Sequence, residues 1–202
     1  GIDVGTSKVK SVLFDAHFNE CLVASVNNLT LSPHSGYAEQ DMQSLWLGVI
    51  STLKTVMDSP LLRQNKIRSI GITGQGEGVW LVDRQGRPVR NAILWSDTRS
   101  AALVEYFKQQ PGLEEQLFAI SGTPLLPCNS SMILRWLQQY EPETLAQADR
   151  FFFAKDWIRY QLTGESWLEV SDTGTSLLDL QRGELSNKVL SQLGIANTAR
   201  LF

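Results

Sequence analysis

Residues 1–14 are Gly-Ile-Asp-Val-Gly-Thr-Ser-Lys-Val-Lys-Ser-Val-Leu-Phe, and this stretch decides the fold. Residues 2–4 and 9–14 are runs rich in β-branched side chains, which are typical of strands, and residues 5–7 separate them as a tight turn. A third run of the same kind occupies residues 21–26. The sequence therefore predicts that the chain begins with a three-stranded antiparallel meander.

A helix and further strands follow the meander. Apolar residues recur with the helical period from Met42 to Met57, and Asp41 is placed to cap that helix. Residues 67–73 are predicted as a strand of the same sheet, and residues 79–82 and 89–95 as a hairpin. Further helices are predicted at residues 98–109, 113–120, 131–140, 157–162 and 186–194, with a short buried strand at 151–153. This order indicates an α/β layer structure with a small helical subdomain near its middle.

The composition narrows the class of protein. The 202 residues are 43% apolar, and 18 basic against 21 acidic side chains give a net charge of −3 without a basic run, so nucleic acid is not expected as a partner. No apolar stretch approaches the roughly 18 residues of a membrane span, and the two distant cysteines suggest neither a disulfide nor a zinc site. We expect a cytoplasmic protein without membrane attachment. The chain begins inside a strand and lacks an initiator Met, so we interpret it as a piece of a longer protein.

The first candidate site is the turn after the first strand. Gly5 allows a ligand to approach the backbone, and the hydroxyls and N–H groups of Thr6 and Ser7 can donate hydrogen bonds to phosphate oxygens. Asp3 is placed to hold Mg²⁺ through water, and Lys10 can reach back as a cation. The alternative is a plain hairpin with a polar tip.

The second candidate site is Thr73-Gly74-Gln75-Gly76-Glu77-Gly78, at the carboxyl end of a strand, where ligands of α/β sheets lie. Gln75 offers donors and an acceptor and Glu77 offers acceptors, which suits a ligand with several hydroxyls. The alternative is a flexible loop with solvated side chains.

Two strand-to-helix junctions carry further polar residues. Asp97 can cap the next helix, or it can contact a ligand, with Arg99 beside it as an ion-pair partner that orients a pocket wall. At Lys155-Asp156-Trp157 we favour the structural interpretation, in which Asp156 caps a helix.

These segments, in this order, resemble the N-terminal domain of the FGGY family of carbohydrate kinases. The resemblance covers nearly the whole chain. It rests on residues 3–7 with Lys10, 36–41, 71–75, 92–99, 122–125, 141–143 and 155–164.

The resemblance implies the actin-like, ribonuclease H-like ATPase fold, in which a five-stranded mixed sheet with flanking helices is duplicated around a cleft. It also implies transfer of the ATP γ-phosphoryl group to a hydroxyl of a sugar or polyol, with Mg²⁺. Asp3 would then hold the metal, and the phosphates would be contacted by Gly5, Thr6, Ser7 and Lys10.

The candidate substrate-binding residues are Gln75, Gly76, Glu77, Asp97, Arg99 and Cys128. Glycerol kinases in this family also carry a Glu at position 77, but Gly76 stands where they and xylulokinases have an Arg or a Met, and Cys128 stands where glycerol kinases have a Tyr. The pocket should therefore be larger. The Gly-Gln-Gly-x-Gly run followed by Trp80 is similar to L-xylulose kinases and erythritol kinases, which suggests pentuloses or tetritols.

The family's general base is an Asp in a Gly-Asp motif, and no Gly-Asp dipeptide occurs in this sequence. Residues 1–202 are therefore interpreted as the N-terminal, substrate-side domain, without the ATP-binding C-terminal domain and inert by themselves. A non-catalytic, actin-like sugar-sensing or assembly domain is the alternative, and a plain interaction domain is a third. A homodimer of the full-length protein is left open.

Overall fold

A mixed four-stranded sheet forms one side of the molecule in the computed structural model, which describes residues 1–202. Its order is β3-β2-β1-β5, where β1 is Ile2–Val4, β2 is Lys8–Phe14, β3 is Glu20–Asn27 and β5 is Ile72–Gly74. The first three strands are antiparallel neighbours, as the sequence predicted, and β5 pairs with β1 in parallel. The carboxyl ends of β1 and β5 therefore lie side by side.

The remaining elements have these bounds. The helices are α1 (Met42–Met57), α2 (Ala101–Lys108), α3 (Leu113–Ser121), α4 (Ser130–Tyr140), α5 (Pro142–Gln147), α6 (Ala154–Thr163), α7 (Val170–Thr173) and α8 (Asn187–Gln192), with 3-10 turns at Pro60–Arg63 and Ala196–Leu201. The other strands form three antiparallel pairs: β4 (Glu39–Gln40) with β7 (Ala92–Ile93), β6 (Trp80–Val82) with β8 (Arg150–Phe152), and β9 (Leu178–Asp179) with β10 (Glu184–Leu185). None of the helices is both long enough and apolar enough to cross a membrane.

The cap of α1 confirms the local prediction, because Asp41 Oδ1 accepts a hydrogen bond of 2.6 Å from the N–H of Ser44. Two strand predictions need correction. The strand expected at residues 67–73 is shorter, since β1 offers partners only to Ile72–Gly74. The main sheet has four strands where the resemblance implied five, and the short strand Arg150–Phe152 pairs with β6 in a separate ribbon.

Two apolar cores lie on opposite faces of the β6–β8 ribbon. The smaller core, under the main sheet, α1 and α6, contains Trp80 and Phe152, whereas the larger core among the helices contains Leu81 and Phe151. Alternate residues of a strand point to opposite faces, so a ribbon with apolar residues at consecutive positions, such as Trp80-Leu81 and Phe151-Phe152, can seal both cores. The helical subdomain is thus packed directly against the sheet-bearing half.

The connection from β5 to β6 contains two consecutive residues with left-handed backbone, Glu77 at φ 54° and Gly78 at φ 78°. A Cβ on Gly78 would collide with the carbonyl oxygen of Ile93, which already accepts a hydrogen bond from the N–H of Val79. Position 78 therefore requires glycine for two reasons, the left-handed backbone angle and the close approach to β7.

We expect Gly78→Ala to destabilise the protein more than Gly164→Ala, a matched control with φ 76° and open space around its Cα. The control carries only the left-handed penalty, about 1 kcal/mol of the free energy of unfolding. Gly78→Ala adds the collision with Ile93 and should cost about 3 kcal/mol. Urea unfolding monitored by tryptophan fluorescence gives the free energy of unfolding of both variants. Equal decreases in the two would show that Ile93 does not restrict position 78.

Candidate functional site

An open cleft lies over the adjacent carboxyl ends of β1 and β5, the position where open α/β sheets bind ligands. Its volume is about 460 Å³. The residues that line it are Asp3, Gly5, Thr6, Gly74, Gln75, Gly76, Glu77 and Trp95. The two candidate segments predicted separately from the sequence thus form two walls of one cleft.

The turn between β1 and β2 forms the first wall. The Gly5 N–H donates to the carbonyl of Lys8 at 3.0 Å, and a Cβ on Gly5 would lie 2.8 Å from that same oxygen, so only glycine fits this turn. The backbone N–H groups of Thr6 and Ser7 donate no hydrogen bond within the protein. Two adjacent free N–H groups are the donors that an anionic oxygen requires.

Asp3 and Lys10 face each other across the paired strands β1 and β2. The Lys10 ammonium lies 3.6 Å from Asp3 Oδ2, and the Asp3 side chain retains 42% of its exposure. An exposed pair of this kind adds little to stability, so both groups are available to a ligand. The structure therefore places the predicted metal-holding carboxylate and the predicted cation at the phosphate-type turn.

A chain of side-chain hydrogen bonds joins the two walls. Trp95 Nε1 donates to Thr6 Oγ1 at 3.0 Å, and Thr6 Oγ1 donates to Gln75 Oε1 at 3.1 Å. Gln75 Nε2 then donates to Gln40 Oε1 at 2.8 Å, and Gln40 Nε2 returns to the Thr6 carbonyl at 3.2 Å. We call these four residues the relay. Through these hydrogen bonds Thr6 and Gln75 fix the two walls relative to each other.

Glu77 stands on the glycine-rich wall and faces the start of α4. Its carboxylate accepts hydrogen bonds from Asn129 Nδ2 (3.3 Å), from the Ser130 N–H (3.1 Å) and from Ser130 Oγ (3.2 Å). Burial raises the pKa of Glu77, and these hydrogen bonds act in the opposite direction. A carboxylate has about four acceptor positions and three of them are used here, so at most one is left for a ligand hydroxyl while Glu77 holds the helix N-terminus.

Cys128 lies near this carboxylate. Burial raises the pKa of its thiol, and the charge of Glu77 raises it further, so the thiol stays protonated at neutral pH. The structure therefore brings Cys128 near Glu77, although Cys128 is not one of the residues that line the cleft. A neutral thiol at this position contributes bulk and weak polarity rather than a nucleophile.

Asp97 and Arg99 do not line the cleft, and the alternative in which Asp97 caps the next helix does not hold, since α2 begins at Ala101 with Ser100 as its N-cap. Arg99 donates from Nε and NH2 to the two oxygens of Asp97, at 2.9 and 2.8 Å, and from NH2 to Glu39 at 2.7 Å. Both side chains of the pair are 0% exposed. This buried ion pair, the alternative that the sequence left open, orders the chain beneath the cleft.

The prediction that Asp156 caps α6 is also wrong. The helix begins at Ala154, so Asp156 lies inside its first turn, where its carboxylate accepts hydrogen bonds from the N–H of Glu169. Its neighbour Lys155 forms ion pairs with Glu169 (2.9 Å) and Asp172 (2.7 Å). These contacts join two segments 13 or more residues apart, which no local spacing predicts.

Sequence reasoning missed several contributors to the site, among them Gln40, Trp95 and Ser130. Gln40 and Trp95 belong to segments that the sequence singled out, but their roles depend on contacts across strands. Ser130 carries no signal of its own, because a serine at the start of a helix is ordinary. Across the whole structure, no group of three or more His, Cys, Asp or Glu side chains stands together as metal ligands.

The model of the FGGY family of carbohydrate kinases, N-terminal domain, matches residues 1–201. The L-xylulose/3-keto-L-gulonate kinase of Escherichia coli K12 is 34% identical over 197 residues, which cover 97% of this chain and 39% of that protein. The chain thus spans about two fifths of the length of such curated relatives.

Solved structures agree on the fold. The xylulose kinase of Rhodospirillum rubrum matches with a TM-score of 0.87 and 26% identity, over 98% of this chain and 42% of that one. The glycerol kinase of Plasmodium falciparum, solved with ADP, matches with a TM-score of 0.90 and 25% identity, over 98% and 41%. The expected actin-like ATPase fold is confirmed.

We expect Arg99→Met to destabilise the protein far more than Arg87→Met, although each arginine lies 2.8 Å from an aspartate. The Arg87 side chain is 72% exposed, and such surface pairs are worth about 0–1 kcal/mol. Removing Arg99 leaves the buried Asp97 charge unpaired, at a cost of about 3–5 kcal/mol. Urea unfolding compares the two variants, and similar losses would contradict the argument from burial.

Proposed function

Since this chain belongs to the FGGY family of carbohydrate kinases, we propose that the protein containing it transfers the γ-phosphoryl group of ATP to a hydroxyl of a small sugar or polyol. Residues 1–202 form its N-terminal, substrate-side domain in this proposal. The observation that carries it is the cleft, where a turn with two free N–H groups faces a loop that presents a carboxylate. The cleft of about 460 Å³ thus combines N–H donors suited to phosphate oxygens with a carboxylate acceptor suited to hydroxyl groups.

The phosphate side is assigned to the turn at residues 5–7. The free N–H groups of Thr6 and Ser7 and the ammonium of Lys10 supply donors and positive charge for phosphate oxygens. The relay holds Thr6 against Gln75, so this turn is already fixed before a nucleotide binds. Phosphoryl transfer depends mainly on such positioning and on neutralisation of charge.

Asp3 fits a Mg²⁺ ion that arrives with ATP. Protein sites for this metal commonly supply one or two carboxylates, and water and substrate phosphates complete the coordination. An exposed single carboxylate next to a phosphate-type turn meets that need, whereas a metal held by the protein alone would require a larger cluster. When bound, Mg²⁺ neutralises charge on the transferring phosphates.

The sugar side is assigned to Glu77, with Gly76 and Cys128 beside it. The four-carbon and five-carbon polyols and ketoses are the favoured substrates, because the sequence is similar to an L-xylulose kinase and an erythritol kinase and because Glu77 can accept a hydrogen bond from a hydroxyl. No residue of this chain is assigned as the general base. A cytoplasmic location follows from the use of ATP.

A phosphorylation screen of the full-length protein over pentuloses, tetritols and glycerol tests the proposal. ATP-dependent formation of a sugar or polyol phosphate is the expected result. Sugar binding without any turnover would favour the non-catalytic sugar-sensing alternative instead.

We expect Asp3→Asn to lower kcat of the full-length protein by about 10²- to 10⁴-fold, since phosphoryl charge loses the carboxylate that anchors its metal. The KM for sugar should stay nearly unchanged. Glu20→Gln, at the far end of the same sheet, is the control and should leave both constants unaltered. A value of kcat for Asp3→Asn within twofold of wild type would remove Asp3 from the mechanism.

We expect Glu77→Ala to raise the KM for sugar by about 10- to 150-fold, because a hydrogen bond to a charged group contributes about 1.5–3 kcal/mol of binding free energy. The KM for ATP should stay close to unchanged. Because Glu77 also holds the N-terminus of α4, the matched control is Glu143→Ala, which removes a carboxylate from the first turn of α5. Steady-state kinetics separate the two constants. A rise in the ATP constant alone would show that this loop does not belong to the substrate side.

A further inference from the structure

The turn between β1 and β2 is held in place through its carbonyl groups. Asn28 Nδ2 donates a hydrogen bond to the carbonyl of Gly5 at 3.0 Å, and Gln40 Nε2 donates to the carbonyl of Thr6 at 3.2 Å. The carbonyl of Ser7 accepts a hydrogen bond of 2.8 Å from the backbone N–H of Asn28. Each of the three carbonyls of the turn therefore has a donor that lies outside the turn.

These contacts determine the direction of the free N–H groups of the turn. In a trans peptide the C=O and the N–H of one peptide unit point in opposite directions, and the chain has no cis peptide. The N–H of Thr6 shares its peptide unit with the carbonyl of Gly5, and the N–H of Ser7 shares its unit with the carbonyl of Thr6. Both N–H groups are therefore directed away from the amides that hold the carbonyls, and neither donates a hydrogen bond within the protein.

Asn28 donates its hydrogen bonds to the turn alone. Both its backbone N–H and its side chain contact the turn, so the amide has little freedom to move away. A carbonyl oxygen can only accept, so the group of Asn28 that faces Gly5 is its NH₂. Gln40, by contrast, also accepts a hydrogen bond from Gln75 on the other wall. Neither Asn28 nor Gln40 lines the cleft, so neither is in place to contact a ligand there.

The peptide unit between Gly5 and Thr6 needs such a contact. Glycine adopts left-handed and right-handed backbone about equally, so this unit can rotate when nothing holds its carbonyl. A rotation would turn the N–H of Thr6 away from a bound phosphate oxygen. Donors that are fixed before the ligand binds require no reorganisation when charge develops in the transition state. The Asn28 amide therefore preorganises a phosphate donor without contacting the ligand.

We propose that Asn28 is a positioning residue for phosphoryl transfer, whose side-chain amide holds the Gly5 carbonyl and so keeps the Thr6 N–H directed at a phosphate oxygen of ATP. This inference rests on the proposed function and adds to it a residue that lies outside the cleft. Because the hydrogen bonds that Asn28 donates end at the turn, loss of the amide should affect the ATP side of the reaction and not the sugar side.

The test compares Asn28→Ala and Asn28→Leu with the control Asn27→Ala in the full-length protein, by steady-state kinetics. Leucine keeps the branched shape of asparagine but has no donor, and Asn27 is an exposed asparagine at the end of β3 that does not hold the turn. We expect kcat/KM for ATP to fall about 10- to 100-fold in both Asn28 variants, within the range for one hydrogen bond to a charged group. The KM for sugar at saturating ATP should stay within about twofold of wild type. Asn27→Ala should leave both constants unaltered.

A kcat/KM for ATP in Asn28→Ala close to the wild-type value would overturn the inference. Activity retained in Asn28→Leu but lost in Asn28→Ala would show that Asn28 only fills space. A parallel rise in the KM for sugar would show that it only stabilises the fold. A wild-type protein that phosphorylates no sugar or polyol would instead overturn the proposed function, and this inference with it.

Discussion

Burial on both faces of the β6–β8 ribbon is the constraint on which the rest of the structure depends. Trp80 and Phe152 complete the core under the main sheet, and Leu81 and Phe151 complete the core among the helices. Neither core closes without the ribbon, so its position is fixed by apolar burial from two sides. The loop between β5 and β6 therefore ends at a fixed point, the start of β6.

The glycine-rich wall of the cleft is consequently tethered at both ends. Gly74 pairs with Val4 on β1, and at the other end the N–H of Val79, next to Gly78, donates a hydrogen bond to the carbonyl oxygen of Ile93. The residues between them span a short gap between two fixed points, which accounts for the left-handed backbone at Glu77. Strain at a single non-glycine residue persists only where the surrounding structure imposes it, and such positions concentrate at functional sites.

Local patterns predicted the elements but not the contacts between them. The period of α1, its Asp41 cap and the opening meander follow from short-range chemistry, and the structure confirms them. A helix cap is the usual role of an acidic residue before a helix and was one alternative for Asp97 and the favoured one for Asp156, but the N–H of Ala38 binds Asp97 and the N–H of Glu169 binds Asp156. The turn at residues 5–7 and the glycine-rich loop could be predicted because glycine and hydroxyl residues form recognisable patterns there. No sequence pattern indicates that Asp172 lies next to Gly76, because only the tertiary fold brings the two together.

The relay has a consequence for how such a sequence can change over generations. Thr6, Gln40, Gln75 and Trp95 come from four separate segments, yet each supplies a donor or acceptor that another consumes. A replacement at one position leaves its partner with an unmet hydrogen bond, so a tolerated replacement must be matched by a second one elsewhere in the set. Descendants of this chain should therefore inherit these four identities as a block, and drift at the neighbouring exposed positions should carry no such linkage.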